Sequence, residues 1–202
     1  KSVFIRKDGK DLEVIKTSEI ILIGKHNLEN ICAASIAAYL AGVSKENIAY
    51  VIRSFRGLEH RLEFVRELAN IRFFNDSLAT VPQATIEALD GLQETETLIT
   101  GGFDRGLDYK DLGIRIADSG IKNLILFPVT GEKIWQAVCA VTKNPPEKFE
   151  VTTMQQAVGI AFAETGTGKI CLMSPASASF NLFKDYKDRG EQFKEEVFKL
   201  KS

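Results

Sequence analysis

Histidine is scarce: His26 and His60 are the only two in 202 residues. Both sit in segments at a domain edge, where a structural role is expected, and no nucleophile–base pair is evident. Cysteine is scarce too. Cys32, Cys139 and Cys171 are far apart, odd in number and set among apolar neighbours. No CxxC or Cys/His spacing supports zinc, so buried free thiols in a reducing compartment are expected. No sign of charge dominates. The 26 Lys and Arg residues nearly cancel the 27 Asp and Glu, leaving −1. That excludes a bulk pull toward nucleic acid or a membrane surface. No apolar run approaches a membrane span, and the first residues lack a signal-peptide pattern, so a cytoplasmic protein is expected. The chain opens on Lys1 rather than Met, which suits a piece of something longer.

What is present is an ordinary globular balance, 45% hydrophobic and 26% charged, with length enough for a sizeable core. "VFIRKDGKDLEVI" reads as a hairpin around Asp8-Gly9. "EIILIG" reads as a short buried strand. "KHNLENICAASIAAYLAGV" has apolar residues at helical spacing and ends near Gly42. Ser44 can cap a second helix over "KENIAYVIRSF", which stops near Gly57. These elements form a first region, 1–57.

From 58 to 202 the pattern changes to alternating strand and helix. Candidate strands are "IRFFN", "TLITGG", "NLILFP", "KFEVT" and "KICLMSP". Candidate helices are "PQATIEALDGL", "YKDLGIRIADSG", "EKIWQAVCAVT", "MQQAVGIAFAE" and a last one over 182–200. Short apolar strands between helices of ten or more residues predict a mostly parallel sheet covered on both faces. The fold class is α/β, Rossmann-like and doubly wound. The mixed Lys/Glu tail after Arg189 reads as a solvated amphipathic helix.

Ligands of open parallel sheets bind beyond the carboxyl ends of the strands. Three such exits are rich in polar groups: "NDSLAT", "GGFDRGLDY" and "SPASASFNLF". Taken singly, each is as well explained by turns and helix caps. Together they suit an anion, held by helix N-termini, by the hydroxyls of Thr80 and Ser179, and by Arg105 as a fork. A small dicarboxylate or a nucleotide fits that chemistry. Two glycine-rich stretches do not match nucleotide-binding fingerprints. "ETGTGKI" has Ala163 and Ile170 where a phosphate loop needs Gly and Ser/Thr, and it precedes a strand. "GGFDRG" lacks the dinucleotide GxGxxG spacing.

"GKHNLENICAA", "GLEHRLEFV", "NDSLATVPQAT", "GGFDRGLDY" and "SPASASFNLFKDYKDRGEQF" resemble, in order, motifs of the C-terminal half of the Mur ligases. Among these they look like the members that add D-glutamate. The resemblance covers essentially the whole chain. It implies that 1–57 is the end of a central ATPase domain and 58–202 a Rossmann-like C-terminal domain. It implies an ATP-dependent, amide-forming ligase of peptidoglycan precursor synthesis, a cytoplasmic monomer working through an acyl phosphate. Its partners would be D-glutamate and UDP-N-acetylmuramoyl-L-alanine. The family's phosphate loop and Mg2+ ligands would lie upstream, leaving this chain inactive alone.

By the same resemblance, Asn27 and Asn30 contact adenine, Arg61 the nucleotide phosphates and Asp76 the ribose. Thr80 and Arg105 hold one glutamate carboxylate. Ser179, with the backbone around Phe180 and Tyr186, holds the other. Two positions depart from the family. Leu78 stands where Lys is usual, and Arg105 where Lys is frequent, which turns a point charge into a fork. Two alternatives stay open: a non-catalytic module that binds nucleotide or amino acid, and a fragment of a folylpolyglutamate-type ligase.

Overall fold

The computed structural model describes residues 1–180 and 182–201. The chain divides into two compact units, Lys1–Gly57 and Leu58–Ser202.

In the first unit, β1 (Ser2–Lys7) and β2 (Lys10–Lys16) pair antiparallel across Asp8-Gly9, both at positive φ. That is the conformation a tight hairpin asks of such a pair. Two helices follow, α1 (Lys25–Leu40) and α2 (Lys45–Ser54). Ser44 caps α2 by accepting the Asn47 amide at 3.3 Å. Val3, Ile5, Val14, Ile15, Ile31, Ile48 and Ala49 form the core of this unit. "EIILIG" is not a strand. Thr17–Glu19 is a 3-10 turn, 20–24 has no strand partner among the described residues, and Ile21 is exposed. An apolar run becomes a strand only when an edge is there to pair with it. Cys32 and Cys139 also lie exposed, against expectation, and only Cys171 is buried.

The second unit is a six-stranded sheet of β3 (Glu63–Leu68), β4 (Ile71–Asn75), β5 (Thr95–Gly101), β6 (Asn123–Phe127), β7 (Glu147–Glu150) and β8 (Ile170–Met173). Its order is β3-β4-β8-β5-β6-β7, parallel except for β3 at one edge. The helices are α3 (Pro82–Gly91), α4 (Lys110–Ala117), α5 (Thr130–Cys139), α6 (Met154–Glu164) and α7 (Tyr186–Lys199). α3, α4 and α5 pack in succession, and α6 packs on α7. Alternate strand residues Phe73, Ile99, Ile125, Cys171 and Met173 share one core with Val158, Phe193 and Val197 of α6 and α7. The tail after Arg189 is therefore amphipathic as expected, but it is docked rather than merely solvated. The expected α/β, mostly parallel, doubly wound architecture is the one observed.

This order matters for function. β8, last in sequence, inserts between β4 and β5. It therefore places its own exit between the other two polar exits.

Candidate functional site

The three exits are knitted together by backbone bonds. Asp76 N donates to Met173 O at 2.8 Å, Gly101 N to Pro175 O at 2.9 Å, and Phe103 N to Ala178 O at 2.8 Å. Gly101 and Gly102 are required at the β5 exit. Their φ values are 100° and 151°, and a Cβ would come within 2.3 Å of Phe127 O or 2.5 Å of Ala178 O.

The polar density of "NDSLAT" has a structural cause. Asn75, Asp76 and Ser77 are all buried. Asn75 Nδ2 lies 3.0 Å from His60 Nδ1 and donates to Glu63 Oε2 at 3.0 Å, while its Oδ1 accepts the Ser77 amide at 3.1 Å. Asp76 accepts the Leu62 amide at 3.1 Å and the Ser174 hydroxyl at 2.8 Å. Burial pushes its carboxyl up to about 7, against the pull of these two donors and of Arg61 and Arg189. Ser77 Oγ donates to Tyr186 O at 2.7 Å.

Arg189 was not singled out by the sequence reading, and it is the most fully buried charge of the site, 1% exposed. Its Nε donates to Ser77 Oγ at 3.0 Å, Nη2 to Ser77 O at 2.8 Å and Nη1 to Ser177 O at 3.0 Å. Burial lowers its pKa to about 9, and Asp76 pulls it back up. Ser177 is a second hub. Its hydroxyl lies 3.0 Å from Tyr109 Oη and 2.6 Å from Thr130 Oγ1. The one sequence signal for Arg189 is the glycine beside it. Gly190 sits inside α7, where glycine is costly. A Cβ there would come 2.2 Å from His60 Nδ1.

The expected site residues fall into two groups. Arg61, Asp76, Thr80, Arg105, Ser179, Phe180 and Tyr186 all lie on or beside the three exits of the second unit. Arg61 and Thr80 are half-buried, Arg105 is exposed, and Phe180 is exposed and packs edge-to-face on Phe103 at 6.0 Å. Asp76 is only 4% open, which leaves little surface for a ribose. Ser179 is not at a helix N-terminus, because α7 begins at Tyr186, capped by Asp185. Its carbonyl instead accepts the Leu182 and Phe183 amides. Tyr186 packs edge-on to His60 at 6.0 Å. Asn27 and Asn30 belong to the first unit, one turn apart on α1, whose N-terminus carries no side-chain cap. Asn27 Nδ2 donates to Ile23 O at 2.7 Å. The Leu78 side chain is half-buried, and its amide is bonded to His60 O at 2.9 Å.

Glu59, His60 and Glu191 bring potential metal-ligating atoms within 4.8 Å of one another. They do not suit Mg2+. Lys194 Nζ already lies 2.6 Å from Glu59 and 2.8 Å from Glu191, so an ammonium holds the cation position. Among the described residues no helix is long and apolar enough to cross a membrane.

No protein-family model matches the chain. Over 189 residues it is 38% identical to the UDP-N-acetylmuramoylalanine–D-glutamate ligase of Caldanaerobacter subterraneus subsp. tengcongensis. The match covers 94% of this chain and 42% of that protein, so the chain spans less than half the length of that relative. The fold matches a UDP-N-acetylmuramoylalanyl-D-glutamyl-2,6-diaminopimelate–D-alanyl-D-alanyl ligase from Acinetobacter baumannii at a TM-score of 0.68. That match has 15% identity and covers 99% of this chain and 43% of that one. It also matches a MurF ligase from Thermotoga maritima in complex with ADP, at a TM-score of 0.61 and 15% identity, covering 94% and 42%. A sheet order that gathers three polar exits, and a sequence match running nearly end to end, have one common explanation: the chain belongs to the Mur ligase family.

Proposed function

We propose that the protein to which this chain belongs joins D-glutamate to UDP-N-acetylmuramoyl-L-alanine at the expense of ATP. It acts in the cytoplasm as a monomer, in peptidoglycan precursor synthesis. The observation that carries the reading is the convergence of three polar strand exits, coupled with 38% identity to a ligase of that name across 94% of the chain. In this reading 1–57 closes the ATPase domain and 58–202 delivers the amino acid. ATP and Mg2+ are its cofactors. We place the metal ligands upstream of this chain, as the family resemblance implies; the Glu59, His60 and Glu191 cluster is already neutralised by Lys194.

We assign the residue roles as the family resemblance implies them. Asn27 and Asn30 face the adenine from one side of α1, being three residues apart. Arg61 meets the nucleotide phosphates, and Asp76 supports that side from below, facing the ribose with its small open surface. Thr80 and Arg105 hold one carboxylate of D-glutamate; Ser179 and the backbone around Phe180 and Tyr186 hold the other. The substrate carboxylate is phosphorylated, the glutamate amine attacks, and phosphate leaves. The residues of this chain position the amine and exclude water from the acyl phosphate.

In the full-length protein, Arg105→Ala removes a forked carboxylate contact. It should raise the KM for D-glutamate by about tenfold or more while the KM for ATP stays within about twofold. An effect on ATP alone would reverse the assignment of Arg105.

A further inference from the structure

We infer that Arg189 is the positioning residue that sets the spacing between the loops holding the amino acid; this rests on the ligase reading above. Its guanidinium reaches both flanking loops. Nε and Nη2 hold the hydroxyl and carbonyl of Ser77, and Nη1 holds the carbonyl of Ser177. Ser77 precedes Thr80 by three residues, and Ser177 precedes Ser179 by two. The third exit is also in reach: a Cβ at Gly102 would stand 3.4 Å from Nη1. One planar group therefore bonds the β4 and β8 exits and lies beside the β5 exit.

Nothing about packing requires a charge there. Burying a guanidinium is costly, and an apolar side chain of the same volume fills a core more cheaply. What an apolar chain cannot do is bond two carbonyls in fixed directions. Lysine cannot do so either, because its ammonium is a point charge without a fork. Two carboxylate grips on opposite loops must be held to well under an ångström, since about 1 Å of misplacement can cost about a hundredfold in rate. The Ser77 hydroxyl relays the same constraint to α7 through Tyr186 O.

The test uses Arg189→Lys and Arg189→Met in the full-length protein. The expected result for the Lys variant is a KM for D-glutamate raised about tenfold or more, with the UDP-linked substrate's KM within about twofold. A folded Arg189→Lys variant with unchanged KM for D-glutamate, losing only kcat in proportion to lost folded protein, overturns the proposal. If neither variant folds, Ser77→Ala decides. It removes the Nε acceptor but leaves both carbonyl bonds, and about a threefold rise in the same KM is expected. No rise overturns the proposal. Amide exchange at 77–80 and 177–180 gives a readout independent of the reaction. Both loops should exchange faster together in Arg189→Lys, and unchanged exchange overturns the clamp. A wild-type protein without D-glutamate ligase activity would sink the proposed function, while the exchange result would still decide the clamp.

Discussion

Asp76→Asn should stabilise the second unit at neutral pH and do so in a pH-dependent way. An aspartate in the unfolded chain titrates near 3.9. In the folded unit burial pushes Asp76 up to about 7. The folded pKa lies above the unfolded one, so the folded state holds its proton longer. Below about pH 4 both states are protonated and the carboxyl has no effect. Between about 4 and 7 the unfolded state ionises first, so stability falls as pH rises. Above about 7 the full penalty remains. About three pH units, at about 1.4 kcal/mol each, gives about 4 kcal/mol as an upper bound. Asparagine keeps the acceptor for the Leu62 amide and offers Ser174 a donor in place of an acceptor. Urea unfolding can be followed by Trp135, the single tryptophan of the chain, which lies on α5 of this unit. The advantage of the variant should be close to zero near pH 4 and reach a few kcal/mol near pH 8. An advantage that does not change with pH, or one that shrinks as pH rises, would mean that burial of the Asp76 carboxylate carries no such penalty.

Two further substitutions probe the frame and the nucleotide side. Gly190→Ala drives a methyl into His60, whose carbonyl anchors Leu78, so the strain is passed to the "NDSLAT" loop. A loss of about 3 kcal/mol in the same urea assay is expected, and a neutral result would mean that His60 can move aside. Arg61→Ala in the full-length protein should raise the KM for ATP by about tenfold or more; unchanged ATP kinetics would remove Arg61 from the nucleotide site.

Much of the second unit was legible because its signals are local. α6 runs over Met154–Glu164, the very stretch its apolar period marks, and Thr153 and Gln156 supply a capping box. Strands β4, β5, β6 and β8 are apolar runs whose ends fall within two residues of expectation. β3 was missed because "EFVREL" carries three charges and pairs only at one edge, where no continuous apolar run is needed. The start of α7 was set too early, because nothing in "FNLFKD" warns that Asp185 is the cap. For the site, topology did the work: one rule about strand ends selected all three exits. The inner struts were not legible. Arg189 meets Ser77 across 112 residues, and His60 meets Asn75 and Gly190 only once the sheet and α7 are in place. Side-chain spacing along the chain carries no trace of such long-range contacts.

In the proposed function these three exits serve a D-glutamate-adding ligase. Phosphate release by the full-length protein, given ATP, Mg2+ and UDP-N-acetylmuramoyl-L-alanine, tests it most directly with D-glutamate and L-glutamate in parallel. Release is expected with D-glutamate, matched one-for-one by amide product, and at least about a hundredfold less with L-glutamate. Equal release with both enantiomers, or release with neither, would contradict it.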